Sequence, residues 1–406
     1  MALRIDAAFG RGVIMVEVVV VEALRTPFGR RGGTLSSMHS IDLLGTTLSA
    51  LLTRTGVDPG LVGQVVGGCV GQVGMQSMNV TRNAWLAAGL PIEVAATTVD
   101  AQCGSSQQAA GIAHALIAGG TVDVAIACGV EVMSRVPMGA TTPKEPDVGK
   151  PINRNYWAHH EFTSQFEGAE RVAEKWNITR ADTDAFGVLS QQRAATAWDE
   201  GRFDSQIVTV DVPDVGSDGK PIGTTTPFQR DQGLRETTLE SLSALKPTGR
   251  ADGVHTAGTS SQIADGASAV LLMTRERAQA LGLQPLATIV DTCLVGCDPV
   301  LMLEGPIPAT RKLLASNALR LEDVDVIEIN EAFAAVVIAW QRELGTNLDR
   351  VNTNGGAIAM GHPLGATGTA LLTKALHELV RIDGTNALVT MCCGGGLGTG
   401  TLLRRG

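Results

Sequence analysis

The chain has 406 residues, 44% of them hydrophobic and 18% charged, enough to bury a sizeable core spread over two or three structural units. Its formal net charge of −9 leaves no basic surplus for neutralising phosphates, which excludes nucleic acid as the main partner. Seven cysteines without regular short spacing, and no HExxH run or paired CxxC motifs, exclude a secreted disulfide framework and a recognisable metal site.

The first fourteen residues include Arg4 and Asp6 and form no continuous apolar stretch, so they are no secretory signal. They read as an added or misassigned leader ahead of the first strand-like run, which begins just after Met15. Strand-like apolar runs then follow at Val16–Val21, Gln64–Val70, Val122–Cys128, Ala269–Met273, Ala287–Val290, Val324–Ile329 and Ala387–Met391. Between them, helical spacing marks Ile41–Leu52, Gln107–Ala118, Ala309–Ser316 and Thr369–Leu379. The alternation predicts an α/β protein with largely parallel sheets covered on both faces. Forty-eight glycines beside 3% aromatics fit close packing of backbone on backbone or ligand. No run approaches the roughly 18 apolar residues of a membrane span, and the terminal Leu-Leu-Arg-Arg-Gly is no peroxisomal address. A cytoplasmic location is the resulting expectation.

One order of elements occurs twice. Cys103 precedes Gly-Ser-Ser, an Ala-rich helix and VDVAIACG; His362 precedes Pro-Leu-Gly-Ala-Thr-Gly, a helix and NALVTMCCGGG. Likewise helix 41–54 leads to QVVGGCV, and the helix from Ala309 leads to VDVIEINEAF. A duplicated α/β unit would present matching loops at one junction. The middle breaks the rhythm: nine of fourteen aromatic residues fall between Tyr156 and Phe228, beside the turn-rich DVPDVGSDGKPIGTTTP. Roughly 135–250 reads as an excursion with its own aromatic cluster, either a plain structural insertion or a cover for a ligand.

Four segments carry candidate chemistry. In DAQCGSSQQAAGIAHAL, Cys103 ends a strand-like stretch and heads a helix, whose N-terminal dipole and free N–H groups favour a thiolate; a buried apolar filler is the other reading. In NTNGGAIAMGHPLGATGTALL, glycines and a proline shape the loop around His362, which can accept a thiol proton or serve structure alone. In ALVTMCCGGGLGTG, the glycines free N–H groups to face an oxyanion. Strand alternation points Cys392 and Cys393 to opposite faces, so one of them reaches the site; a vicinal disulfide is a third reading. In EINEAFAAVV, Asn330 and Glu331 suit orienting a water or a histidine, while Asn330 could equally cap the helix that follows.

Together, and in this order, the four segments resemble the thiolase family from about Val16 onward; ALRTPFGRRGG and GVEVMSRVP fit as well. The resemblance implies a duplicated fold, two βαβαβ-type halves with mixed sheets packed as an α-β-α-β-α sandwich plus an inserted loop domain. Residues 15–134 with 251–283 would form one half, 284–406 the other, and 135–250 the loop domain over a coenzyme A site. It implies an acyltransferase with Cys103 as the acylated nucleophile and His362 as its base. Cys392, at the family's Cys-x-Gly position, would be the second acid–base, and Asn330 would hold a water. Backbone N–H groups of Cys103 and Gly394 would form a second oxyanion site. Coenzyme A, a co-substrate rather than a resident cofactor, would meet Arg235, Ser261 and Phe333. Acyl-CoA substrates, no metal, no membrane partner and a homodimer or homotetramer complete the expectation. Departures from short-chain acetoacetyl-CoA thiolases occur at Ser164-Gln165, Gly249 and Met302-Leu303-Glu304. They weigh against a purely two-carbon acyl preference. DQGLRETTLESL and GGCVGQVGMQSMNVTRNAWLAAGLP look most like actinobacterial degradative thiolases, some of which accept steroid side-chain thioesters. Rival expectations are a biosynthetic acetoacetyl-CoA thiolase, a ketoacyl synthase (disfavoured by Cys392) and a non-catalytic acyl-CoA or lipid carrier.

Overall fold

The computed structural model describes residues 16–142, 148–216 and 221–406; the leader reading of residues 1–14 falls outside them. The first part of the chain supplies β1 (Val18–Arg25), β2 (Gly29–Arg30), α1 (Ser40–Thr55), β3 (Gln64–Gly68), α2 (Val80–Ala87), β4 (Ala95–Val99), α3 (Ser105–Ala118) and β5 (Val124–Val132). A middle stretch holds α4 (Arg154–Trp157), α5 (Gln165–Lys175), α6 (Arg180–Asp199), the two-stranded ribbon β6 (Val210–Val215) and β7 (Pro221–Phe228), and α7 (Leu239–Ser243). Then come β8 (Ala264–Thr274), α8 (Arg275–Ala280), β9 (Ala287–Gly296), α9 (Pro306–Ser316), β10 (Val326–Ile329) and α10 (Ala334–Leu344). Finally come α11 (Ala357–Met360), α12 (Leu364–Arg381), β11 (Asn386–Cys393) and β12 (Leu397–Arg404).

The main sheet runs β10-β11-β12-β9-β1-β8-β5-β3-β4, with β2 beside β8. Its two ends repeat one another. β3 pairs parallel with β5, β5 antiparallel with β8, and β8 antiparallel with β1; β10, β11, β12 and β9 follow the same order and directions. The halves meet at β1 and β9, where only Val19↔Thr288 and Val20↔Ala287 pair. This is the duplicated, mixed-sheet thiolase fold.

The expectation of largely parallel sheets is corrected. β12 returns from β11 through Gly394–Gly396, and so short a connection forces an antiparallel neighbour. Sequence reading passed over β12 because LGTGTLLR alternates glycine with threonine, yet it is buried almost throughout.

Alternation along the strands sorts their side chains into layers. Ile126 and Cys128 join Leu43, Leu48 and Leu51 of α1 in an outer core. Ala125 and Ala127 face the other way, into a central layer with Ala110, Ala113 and Ile117 of α3 and Leu372, Ala375 and Leu379 of α12. Leu388 and Cys392 point outward again, to α9 and α10. The central helices touch backbone to backbone: a Cβ on Gly368 would stand 2.2 Å from the Gln107 amide nitrogen. That contact brings the N-termini of α3 and α12, and hence Cys103 and His362, to the same end of the layer.

The aromatic-rich middle is more helical than its turn residues suggested. α5 packs on α10 and α6 on α11, and the described parts of DVPDVGSDGKPIGTTTP form the ribbon. Six of its nine aromatics meet other rings, in three places. Tyr156, Trp157 and Phe162 contact one another, Trp198 meets Phe203, and Phe166 meets Phe333 of the site. Among the described residues no helix is long and apolar enough to cross a membrane.

Candidate active site

Cys103 sits between the edge strand β4 and α3, on a turn whose preceding residue, Gln102, has φ +53°. A left-handed non-glycine residue costs about 1 kcal/mol or more and persists only where neighbours fix it. Ser105 does so, its hydroxyl donating to the Gln102 carbonyl (2.6 Å) and accepting from the Ala101 amide (3.0 Å). The Gln102 amide is tied to Asp100 (2.7 Å). The turn aims the Cys103 sulfur at two backbone N–H groups, its own and that of Gly394. Burial is the larger influence and pushes the thiol up to about 11, while the two N–H groups pull it down. Desolvation thus opposes the thiolate that the helix terminus and the local N–H donors favour.

His362 follows Gly361, whose φ of +106° is glycine territory and whose missing Cβ would stand 2.6 Å from that of Ala264. The His362 amide donates to the Gln262 carbonyl (2.9 Å). Nδ1 lies 2.6 Å from the Thr367 hydroxyl, which donates onward to the Pro363 carbonyl (2.9 Å). A hydroxyl has one proton, so Thr367 accepts from Nδ1–H and the ring lone pair is on Nε2, where it accepts from the Asn330 amide. The Asn330 amide nitrogen stands 3.3 Å from Nε2. Burial holds the imidazole down to about 3. The resting pair is therefore a thiol and a neutral imidazole.

Asn330 does not cap a helix: α10 starts at Ala334 behind Phe333, with no side-chain cap. Its Oδ1 is buried without a hydrogen-bond partner, an acceptor that the O–H of a water would satisfy. Glu331, expected beside a water or histidine, instead accepts from Ser190 (2.6 Å), Asn352 (2.9 Å) and the Ile358 amide (3.1 Å). It bolts down the loop that leads to His362.

Cys392 and Cys393 do point to opposite layers. Both thiols are pushed up by burial and then by the charge that Cys103 would carry as a thiolate. Cys393 fills the central layer, where a Cβ on Gly104 would stand 2.6 Å from its sulfur. All seven cysteines are free, so no vicinal disulfide forms.

Cys103 and His362 open into one cleft of about 500 Å³. Arg235, Ser261 and Phe333 line it too, with Phe166, Met133 and Met138. Asn330, Cys392 and Gly394 do not line it and adjoin it through His362 and Cys103. The structure thus brings Cys103, His362, Arg235, Ser261 and Phe333 to one cleft, with Asn330 behind His362, while Glu331 serves the loop instead.

Sequence reasoning passed over three supports. Gln102 and Thr367 betray themselves only through geometry. Glu131, buried at the end of β5, accepts from the amides of Val70, Gly71 and Gly365 and from Gln76 (2.6–3.0 Å). It ties the first half to the histidine loop of the second; an acidic residue closing the apolar run VAIACGVEV was its signal.

This fold defines an acyltransferase, and its cleft holds a thiol and an imidazole. The chain belongs to the thiolase family: residues 18–276 match the thiolase N-terminal domain and 283–405 the C-terminal domain. It is 44% identical to a steroid 3-ketoacyl-CoA thiolase of Mycobacterium tuberculosis, over 98% of this chain and 96% of that protein. It is 42% identical to a 3-ketoacyl-CoA thiolase of Bacillus subtilis, over 95% and 98%. The crystal structure of the Bacillus anthracis acetyl-CoA acetyltransferase superposes with a TM-score of 0.88 at 35% identity, covering 97% of this chain and all of that one.

Proposed function

We propose that the protein cleaves a 3-oxoacyl-CoA with coenzyme A, yielding acetyl-CoA and an acyl-CoA two carbons shorter, by a ping-pong reaction on Cys103. The observation carrying this reading is the cleft that Cys103 shares with His362, with two N–H groups aimed at the sulfur. Nε2 of His362 takes the thiol proton as the sulfur attacks carbon 3. The bond between carbons 2 and 3 breaks, Cys392 gives its proton to carbon 2, and acetyl-CoA leaves. The Cys392 thiolate then takes the proton of a new coenzyme A thiol, which attacks the acyl group on Cys103. The departing Cys103 sulfur recovers the proton held by His362. Covalent capture divides one hard step into two, and each proton transfer contributes roughly 10²–10⁴-fold. A water held by Asn330, with His362, takes one oxyanion, and the N–H groups of Cys103 and Gly394 the other. No metal or redox cofactor enters; coenzyme A lies along Arg235, Ser261 and Phe333, under the segment 135–250.

The role is degradative, on fatty acyl or steroid side-chain thioesters in the cytoplasm; the departures at Ser164-Gln165 and Gly249 and the names of the two relatives support it. A homodimer or homotetramer is in keeping with the partly exposed edge strand β4 leading into the nucleophile turn. A biosynthetic acetoacetyl-CoA thiolase would use the same residues in reverse, and turnover of short, long and steroidal 3-oxoacyl-CoAs separates the two. Incubation with an acyl-CoA followed by mass spectrometry tests the chemistry. Cys103→Ala should carry no acyl adduct; normal turnover by that variant would refute the mechanism, and absence of thiolysis by the wild type would leave an acyl-CoA carrier as the reading. Cys392→Ala should acylate yet fail to break the carbon–carbon bond, and Cys393→Ala should retain turnover.

A further inference from the structure

Most arginines of this acidic chain hold a carboxylate, as Arg171, Arg180, Arg250 and Arg342 do. Among the described residues, five arginine side chains make no such pair and no other hydrogen bond within the protein: Arg30, Arg31, Arg135, Arg154 and Arg235. Three of these, Arg30, Arg31 and Arg235, line the cleft that holds Cys103 and His362. No aspartate or glutamate is among the cleft's described lining residues. A protein of net charge −9 therefore encloses a cleft with three unneutralised guanidinium groups. Field lines from such groups concentrate in a low-dielectric cleft and select an anionic ligand.

The turn carrying Arg30 and Arg31 is held rigidly, which makes the charges a built feature. The Gly32 amide donates to Ser134 (2.8 Å), and Ser134 is bound to the buried Asp265 (2.6 Å). The Thr34 amide and hydroxyl clasp the side chain of Gln232 (3.0 and 2.6 Å). The turn is thus fixed against the end of β5, next to Met133. Arg235, Ser260, Ser261 and Phe333 lie along the part of the lining read above as the coenzyme A side. The bond from Gly32 to Ser134 sets Arg30 and Arg31 beside Met133 at the end of β5, on elements other than those that carry Arg235, Ser261 and Phe333. Two guanidinium forks side by side match a planar carboxylate through charge-assisted, bidentate hydrogen bonds.

We infer that Arg30 and Arg31 select 3-oxoacyl-CoA substrates whose acyl chain ends in a carboxylate. The inference rests on the thiolase reading of Cys103 and adds to it the charge of the acyl chain. Specificity arises because a neutral chain leaves both guanidinium groups without the partner that the site is built to hold.

The test compares two six-carbon 3-oxoacyl-CoAs, one ending in a carboxylate and the other in a methyl group. The wild-type protein and the variants Arg31→Ala, Arg30→Ala and Arg31→Lys are assayed on both. Both arginines are exposed, and thermal melts check that the variants fold. The expected result is a ratio of kcat/KM favouring the carboxylate chain in the wild type, falling roughly 10- to 100-fold in each alanine variant. Arg31→Lys should recover part of the ratio, since it keeps the charge but not the fork. The inference is overturned if the ratio does not move. That outcome with a raised KM for coenzyme A itself would assign both arginines to the coenzyme A phosphates; with no change in any constant it would leave them without a role in recognition. Failure of the thiolase reading is distinguishable, because the wild type would then turn over neither substrate.

Discussion

Replacing Thr367 with valine asks how the imidazole of His362 is set. The hydroxyl accepts Nδ1–H at 2.6 Å and passes its own proton to the Pro363 carbonyl. That carbonyl keeps two other donors, the amides of Ala366 and Thr367, so valine orphans only the imidazole N–H. A buried donor left unpaired costs about 1–3 kcal/mol, and valine replaces the hydroxyl with a methyl of similar size. The proton then has reason to move to Nε2. The Asn330 amide, 3.3 Å away with an unpartnered Oδ1, can turn over to receive it. That exchange removes the lone pair which the mechanism assigns to the Cys103 proton. Thr367→Val should therefore lose about 1–3 kcal/mol in urea unfolding and roughly 10–100-fold in kcat of thiolysis, in line with the share of one proton transfer. Nitrogen NMR of His362 should report a change of tautomer, and Thr367→Ser should restore both the tautomer and the rate. Wild-type turnover in a folded Thr367→Val protein with its Nδ1–H tautomer lost would refute the reasoning.

The other expectations follow from burial. Since His362 is held down to about 3 whereas an unfolded histidine titrates near 6.5, the unfolded chain gains the proton first as pH falls. Its contribution is intact above about pH 6.5 and is lost progressively towards pH 3, by up to ~5 kcal/mol. Stability curves of wild type and His362→Asn should separate over that window alone, with the wild type the more acid-sensitive. Because burial pushes Cys103 up to about 11, its alkylation by iodoacetamide should climb about tenfold per pH unit from 7 to 10; a plateau below pH 8 would contradict a resting thiol. Lys374 is buried with its ammonium 2.8 Å from Glu328 and 2.6 Å from the Gly355 carbonyl. Lys374→Met should cost about 3–5 kcal/mol by stranding a carboxylate, whereas Lys374→Met with Glu328→Leu should recover most of it. Chemical unfolding of the two variants checks this.

Much of the site was legible along the chain because its chemistry sits in contiguous segments. A cysteine before a helix, a histidine among glycines and a cysteine closing a strand each carry a local signal, and their repeated order announced the duplicated halves. Strand alternation alone separated Cys392 from Cys393. What periodicity could not supply was the pairing of strands: β12, with its glycines, has no apolar run of its own and is recognised only against β9 and β11. The state of the nucleophile was equally out of reach. A helix N-terminus argues for a thiolate, but how far burial opposes it depends on everything packed around the turn. The tautomer of His362 hangs on Thr367, five residues on and one helical turn away. The unpaired arginines show the same limit from the surface. Sequence records their charge, but only the folded chain reveals which arginines find a carboxylate and which are left facing a cleft. Local order fixes which groups are available; long-range packing sets their solvation, and solvation decides how they behave.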